Sequence, residues 1–421
     1  MFSFVFGVIL TGLGVVGPFI YEPCLGLAVY AAFTFITPQQ LGIASLRAPL
    51  LVAIATLISY FLNKNYPKKL NLFPAELKLY VIMLLGMLLG AYNAYDSNLA
   101  FEYFEPYWKY GIFLLLMINI LDSRPKVEIF NNFMILGAAW LVYKCWDLRG
   151  AHGGRFENTD GGVVGDSNQF AAALIMLLPL VMMRVFRKSH RLVRIAAALG
   201  VFGMVMSVII STSRGGFLGL ITLFVCFFIF YKNYRKRILL FSILVILSIS
   251  PFMTDYYFSR ISTITISKDE KRDESSQSRL DFWSTAIDVW QKYPIYGCGL
   301  RNFTYYNGYA NEGLKWGEQG HVAHSLWFEA LGEGGTMVFV PLVWMIVLFF
   351  RRMSRAKRKF ISEPKVYADI TAFQIGMIGF LVCATFVNRL IYEPIYWWCC
   401  LSYVYDQRIG NNLNEGNIIN A

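Results

Sequence analysis

Apolar residues run along this chain in long blocks, broken by short polar intervals that hold most of its charge. The blocks are roughly 16–22 residues long, the length of a helical bilayer span, and lack the alternating ten-residue pattern of an outer-membrane barrel. Spans are expected at about 48–63, 75–93, 106–121, 128–147, 168–186, 193–210, 216–232, 238–253, 336–350, 367–387 and 391–405. Residues 1–36 hold two shorter apolar pieces, interrupted at Gly17-Pro18 and Glu22-Pro23, which read equally as two short helices or one broken span. The longest polar interval, 254–335, predicts a folded loop, with its first part (268–278) read as a solvated linker. The pattern therefore predicts an all-α polytopic membrane protein. It has about 12 transmembrane helices and one large loop carrying short amphipathic helices. Three parts follow: an N-terminal bundle (1–253), the loop (254–335), and C-terminal helices with a short tail (336–421).

Composition agrees: 56% of residues are hydrophobic and 15% charged, where soluble domains carry nearer a quarter charged. The first 20 residues have no charged leading region, so they read as retained membrane segment. The net charge of +11 does not point to nucleic acid, because the basic residues cluster at the ends of apolar runs. Arg184, Arg187, Lys188, Arg191 and Arg194 form one cluster, Lys232, Arg235, Lys236 and Arg237 a second, and Arg351 to Lys359 a third. That is the positive-inside pattern, with lipid headgroups as a secondary role. Placing these clusters in the cytoplasm puts 148–167, 211–215, 254–335 and 388–394 on the other side, along with His152, His321 and His324. If 1–36 is one broken span, both termini are cytoplasmic. The seven cysteines form neither a disulfide framework nor a CxxC metal pattern.

The outward loops also receive Arg155, Asp166, Arg214, Arg279, Arg301, Arg389 and Glu393. Arginine there opposes the insertion bias and suits an anionic ligand, since the guanidinium fork binds phosphate oxygens and stays charged. Arg214 lies in Ser211-Thr212-Ser213-Arg214-Gly215-Gly216, where glycines and a helix N-terminus favour an anion. It reads equally as a loop arginine beside a glycine turn. Arg279 begins an expected surface helix whose apolar stripe is Phe282, Trp283, Ala286, Val289 and Trp290. It too reads as a mere surface charge. His324 is a candidate general base on a hydroxyl, with His321 as rival and a structural histidine as the plainer reading. Glu329 and Glu333 are placed to orient the ring or pair with an arginine. Tyr396-Trp397-Trp398 reads as an interfacial aromatic belt. No Walker A, GxGxxG, HExxH, nucleophile-elbow or DxD pattern is present.

Taken together, these motifs resemble the O-antigen ligase superfamily of bacterial inner-membrane proteins. The resemblance rests on Ser213-Arg214-Gly215, on Ser278-Arg279-Leu280-Asp281-Phe282-Trp283, and on Pro294-Ile295-Tyr296-Gly297-Cys298-Gly299. His324-Ser325-Leu326-Trp327-Phe328 with Glu333-Gly334-Gly335, and Gly165-Asp166-Ser167-Asn168, complete it. The Ala-His-Ser form and Thr37-Pro38-Gln39-Gln40-Leu41 are most similar to exosortase-associated O-glycosylation ligases. The resemblance implies a periplasmic loop and a metal-independent, inverting glycosyltransferase without cofactor, multi-pass in the cell inner membrane. Its donor would be a glycan on undecaprenyl diphosphate, and its acceptor a hydroxyl of lipid A-core or protein. Arg214 and Arg279 would hold the diphosphate and His324 would be the base. His321, Arg301, Arg389, Asn168 and Glu333 complete the expected substrate site. A repeat-unit polymerase uses the same donor, and a polyprenyl-lipid transporter is the alternative from another class.

Overall fold

A computed structural model describes residues 2–67, 70–147, 165–187, 189–232, 235–249 and 274–410. It is all-α, 79% helical, with no strand among the described residues. We number the helices α1 (Phe2–Ile20), α2 (Pro23–Phe35), α3 (Ala48–Leu62), α4 (Ala75–Tyr92), α5 (Ser97–Ile120), α6 (Arg124–Asp147), α7 (Ser167–Phe186) and α8 (Arg191–Ile210). There follow α9 (Arg214–Phe230), α10 (Arg235–Ile249), α11 (Glu274–Lys292), α12 (Phe303–Asn311), α13 (Leu326–Lys359), α14 (Pro364–Ala384) and α15 (Glu393–Tyr403). Among the described residues seven helical segments are long and apolar enough to cross a membrane. His152, Arg155, most of Lys268–Ser278 and the tail beyond Gly410 lie outside the described residues.

Residues 1–36 form two helices, not one broken span. Cβ atoms built on Gly14, Gly17 and Gly26 would meet Val29, Leu25 and Pro18, so α1 and α2 run antiparallel around the Tyr21–Glu22 turn. That turn sits beside Tyr66 and Lys126, which bond Glu22 at 3.1 and 3.3 Å. The start of α1 therefore lies at the end of the bundle opposite Lys126, reversing the expectation for a broken span.

Burial sorts the helices. α7 is buried almost throughout from Ser167 to Met183, and α15 is buried from Glu393 to Ser402. Helices at the perimeter expose apolar rows, such as Ile9 at 63%, Leu62 at 67% and Leu199 at 67%, a surface suited to lipid. The aromatic run of α15 corrects the belt reading. Tyr396, Trp397 and Trp398 are fully buried. Trp397 packs on Phe113 and Phe130, Trp398 on Phe373 at 4.7 Å, and Gly376 leaves room for the indole. Aromatic composition alone does not separate a lipid-facing belt from a central helix; neighbours do.

The basic clusters gather at one end of the bundle. Arg124 pairs with Glu363 and Arg187 with Asp369. Arg352 pairs with Glu76, and Arg355 and Lys359 converge on Asp406 at 2.9 and 3.2 Å. The carboxylates of Glu76 and Asp406 are fully buried. Breaking such a pair from one side leaves an uncompensated buried charge, so these arginines also fasten helix ends.

At the other end, α13 is broken at Gly335, whose φ is +61°. The break frees backbone groups that 294–299 satisfies. Cys298 N and Gly299 N donate to the Gly332 and Glu333 carbonyls at 3.0 Å, while Thr336 N and Met337 N donate to Pro294 and Ile295 at 2.9 Å. The backbones touch: a Cβ on Gly335 would lie 2.5 Å from Gly297 N and 2.6 Å from Ile295 O. Gly335→Ala should therefore lose roughly 1–3 kcal/mol for placing alanine in a backbone region that glycine alone adopts readily, plus the cost of separating the segments. A lower melting temperature and faster loop proteolysis in detergent check this, against Gly12→Ala, whose new methyl meets nothing within 4 Å.

Candidate functional site

The broken helix positions the loop. Glu333 Oε2 accepts from Arg301 N at 2.8 Å, and Arg301 holds a left-handed φ of 64°. The next residue, Asn302, is fully buried and ties the loop to the α4–α5 turn, receiving Asp96 N at 2.7 Å and donating to Asp96 O at 3.1 Å. Glu329, one turn before Glu333, accepts from Arg389 N and Leu390 N at 2.9 and 3.0 Å. The two glutamates thus hold backbone N–H groups of two separate loops. Neither orients a histidine ring.

The apolar stripe of α11 turns inward. Phe282, Ala286 and Val289 pack with Cys298, Phe303 and Ala323 into a small core inside the loop. Trp283 stacks on Phe328 at 4.9 Å and donates to Ala323 O, and Trp290 donates to Thr336 Oγ1. This corrects the surface-helix expectation: the stripe finds its partners in the loop itself. The helix also begins before Arg279, at Glu274, so the end of the predicted linker is helical.

His324 stands where this core meets the bundle, just before the Ser325 cap of α13. Its φ of 50° is a left-handed value that a β-carbon makes costly. Phe282 flanks its ring at 6.5 Å and the ring of His321 at 6.1 Å. Burial, then the guanidinium of Arg279, pushes the His324 ring down to about 4; Asp166 opposes, and His321 and Arg301 add to the depression. With that proton affinity the imidazole is neutral at ordinary pH. His321 differs: it is exposed, lies on irregular backbone, and its Nδ1 pairs with Glu312 at 2.6 Å.

Arg214 opens α9. Ser213 caps that helix by accepting from Gly216 N at 3.0 Å, and donates to Asn168 Oδ1 at 2.8 Å. Asn168 belongs to the first turn of α7, which Asp166 caps through Asn168 N and Gln169 N at 2.7 and 2.9 Å. Two helix N-termini are thus locked together with their positive dipole ends at one end of the bundle. Thr212, before the cap, is also left-handed at φ 53°. Among the described residues, three of the four left-handed non-glycine residues therefore sit in this region.

The structure brings together His324, Arg279, Arg301 and Asp166, which interact electrostatically. It links Arg214 to Asn168 through Ser213, and Glu333 to Arg301. Gly215 lies beside Phe386, which packs on Trp283 of α11 at 6.3 Å, so the helix that Arg214 opens and the helix that carries Arg279 are joined through an aromatic contact. Arg389 is placed otherwise than expected. It is 1% exposed, donates to Gln169 O and lies 4.3 Å from the centre of the Tyr392 ring. Its guanidinium clamps the start of α7. Glu393 is buried too, receiving Tyr30 and Thr34 at 3.2 Å. Sequence reasoning gave Asp166 no role; its signal was an Asp two residues before Asn168 at the start of a long apolar run, a helix-cap pattern.

Residues 199–343 match the family model described as O-antigen ligase, and residues 1–186 match a family of unknown function. The first match spans Arg214, Arg279, Arg301, His324 and Glu333, and supports the O-antigen ligase superfamily. No curated protein matches the chain.

Two outcomes follow from this geometry. Glu329→Ala leaves two buried N–H groups unsatisfied, at about 1–3 kcal/mol each, whereas Glu329→Gln keeps an accepting oxygen; the alanine variant should melt distinctly lower. Modification of His324 by diethylpyrocarbonate, followed by mass spectrometry across pH, should show a midpoint near 4. Removing the cation in Arg279→Gln should move that midpoint upward, because less charge then opposes protonation.

Proposed function

We propose that this protein is an inner-membrane glycosyltransferase of the O-antigen ligase kind. It would move a glycan en bloc from undecaprenyl diphosphate to a hydroxyl of a lipid or protein acceptor. The end of the bundle carrying His324 would face the periplasm and the basic end the cytoplasm, as the positive-inside bias requires. One observation carries the reading: a half-buried imidazole kept neutral beside arginines, at a bundle end where two helices present their N-termini.

In this mechanism Arg214 and Arg279 bind the diphosphate, Arg214 with the help of the α9 dipole. The acceptor hydroxyl attacks the anomeric carbon from the face opposite the diphosphate and the configuration inverts. The glycosidic C–O bond breaks, its electron pair goes to the diphosphate oxygen, and the hydroxyl proton goes to His324 Nδ1 or Nε2. The arginines stabilise charge growing on the leaving group, the role a divalent ion fills elsewhere. A low proton affinity makes His324 a modest base that is always unprotonated and ready. An arriving diphosphate neutralises the neighbouring cations and raises that affinity as the proton is needed.

Arg214→Ala, Arg279→Ala and His324→Ala should each abolish transfer by purified enzyme while leaving normal amounts of protein in the membrane. Chelators should have no effect. Undecaprenyl diphosphate release that depends on lipid A-core or protein acceptor establishes a ligase; longer lipid-linked glycan without added acceptor makes it a polymerase. Normal transfer by all three variants would refute the mechanism, and donor translocation without turnover would favour a transporter.

A further inference from the structure

The chain between α12 and His324 builds a second feature that the chemistry above does not use. Trp316 stands 45% exposed, yet three tyrosines hold it edge to face: Tyr306 at 5.0 Å, Tyr95 at 5.3 Å and Tyr309 at 6.0 Å, with interplanar angles of 84°, 72° and 82°. Tyr95 and Tyr309 are themselves 53% and 62% exposed. The turn beneath is fixed. Lys315 N donates to Glu318 Oε2 and Glu318 N to Lys315 O, both at 3.0 Å. Gly313 and Gly317 are left-handed, and a Cβ on Gly317 would come within 3.0 Å of the Tyr95 hydroxyl. Gln319 donates to Tyr305, whose hydroxyl donates to Asp96 in the α4–α5 turn at 3.1 Å.

A rigid indole, half open to solvent, does nothing for a core. Its surroundings are polar: Lys315, Glu318 and Gln319 are all exposed around it. An aromatic face presents a negative quadrupole to C–H groups, while nearby carboxylate, amide and phenol groups serve hydroxyls. A pyranose ring offers both, with axial C–H bonds on one face and hydroxyls around its rim. The platform is also tied to the His324 end of the loop, since Glu312, at the start of the same excursion, grips His321 through both backbone and ring.

We infer that Tyr95, Tyr309 and Trp316 form a saccharide-binding platform. It takes sugar units of the glycan that lie beyond the residue being transferred. The inference rests on the glycan-transfer reading for its place in the reaction, and on the aromatic geometry alone for saccharide recognition. It predicts that affinity depends on glycan length, with the diphosphate held by arginines at one end and the distal sugars by stacking at the other.

The test uses the full chain in nanodiscs. It probes an array of bacterial surface-polysaccharide fragments with cellotetraose and chitotetraose, none of them carrying a diphosphate. Wild-type protein should bind one or more, Trp316→Ala at least tenfold more weakly, and Tyr309→Ala, a change at an exposed rim, several-fold more weakly with an unchanged melting temperature. Binding that survives His324→Ala and Arg279→Ala separates this platform from the transfer chemistry, so an inactive enzyme that still binds leaves the inference standing. Absence of binding to any fragment, or equal binding by wild type and Trp316→Ala, overturns it. Quenching by brominated lipid that disappears in Trp316→Phe also overturns it, by placing the ring in the bilayer.

Discussion

The break at Gly335 is the constraint from which the rest of the upper end follows. A helix that stops and restarts must hand its freed carbonyls and N–H groups to something else when it is buried. Here the 294–299 segment takes two carbonyls from before the break and receives two N–H groups from after it. That exchange requires backbone-to-backbone approach, so glycines stand on both sides of it, at 297 and 335. Once the segments are zipped, Glu333 meets Arg301 N, Asn302 meets the α4–α5 turn, and α11 is aimed across the mouth of the bundle. The position of His324 is a consequence of this packing, and its left-handed backbone is held by the loop around it.

The two ends of the bundle use positive charge in opposite ways. At the basic end, arginines and lysines meet carboxylates such as Glu76 and Asp406. At the other end, the carboxylates nearest the cations serve mainly to cap. Glu329 and Glu333 accept backbone N–H groups, and Asp166 closes the first turn of α7. Burial lowers the proton affinity of His324 there, Arg279, His321 and Arg301 add to the depression, and Asp166 opposes it. In the proposed mechanism, a bound anion would offset the cations beside the His324 ring.

Much of this was legible from the chain. Apolar blocks located most of the long helices, and the clustered charges located one end of the bundle. Gly297 and Gly335 stood in the quoted motifs, but that they mark backbone contacts of the loop, which only glycine tolerates, shows in the structure alone. What escaped was anything set by neighbours and not by spacing. The indoles of α15 have the composition of an interfacial belt, yet neighbours from α5, α6 and α14 enclose them. The stripe on α11 has the period of a membrane-surface helix, yet residues 298, 303 and 323 supply its partners. Arg389 looked like a ligand-binding arginine because of its loop; in the structure its guanidinium is buried and donates to Gln169 O. Periodicity shows that a face will be covered and is silent about by what.

That distinction also explains why small motifs carried more than the long apolar helices. A span of leucine and phenylalanine can exchange members at little cost, because lipid and helix interior are both apolar. Ser213 has no such freedom: one hydroxyl accepts from Gly216 N and donates to Asn168, and so fixes two helix ends at once. Gly335 has none either, since a methyl group there would occupy the space of another backbone. Sites of this kind gather where catalysis needs groups from several helices held in register. Here they tie the starts of α7 and α9 to each other, and in the proposed mechanism the arginines and the imidazole would meet a substrate with little left to organise.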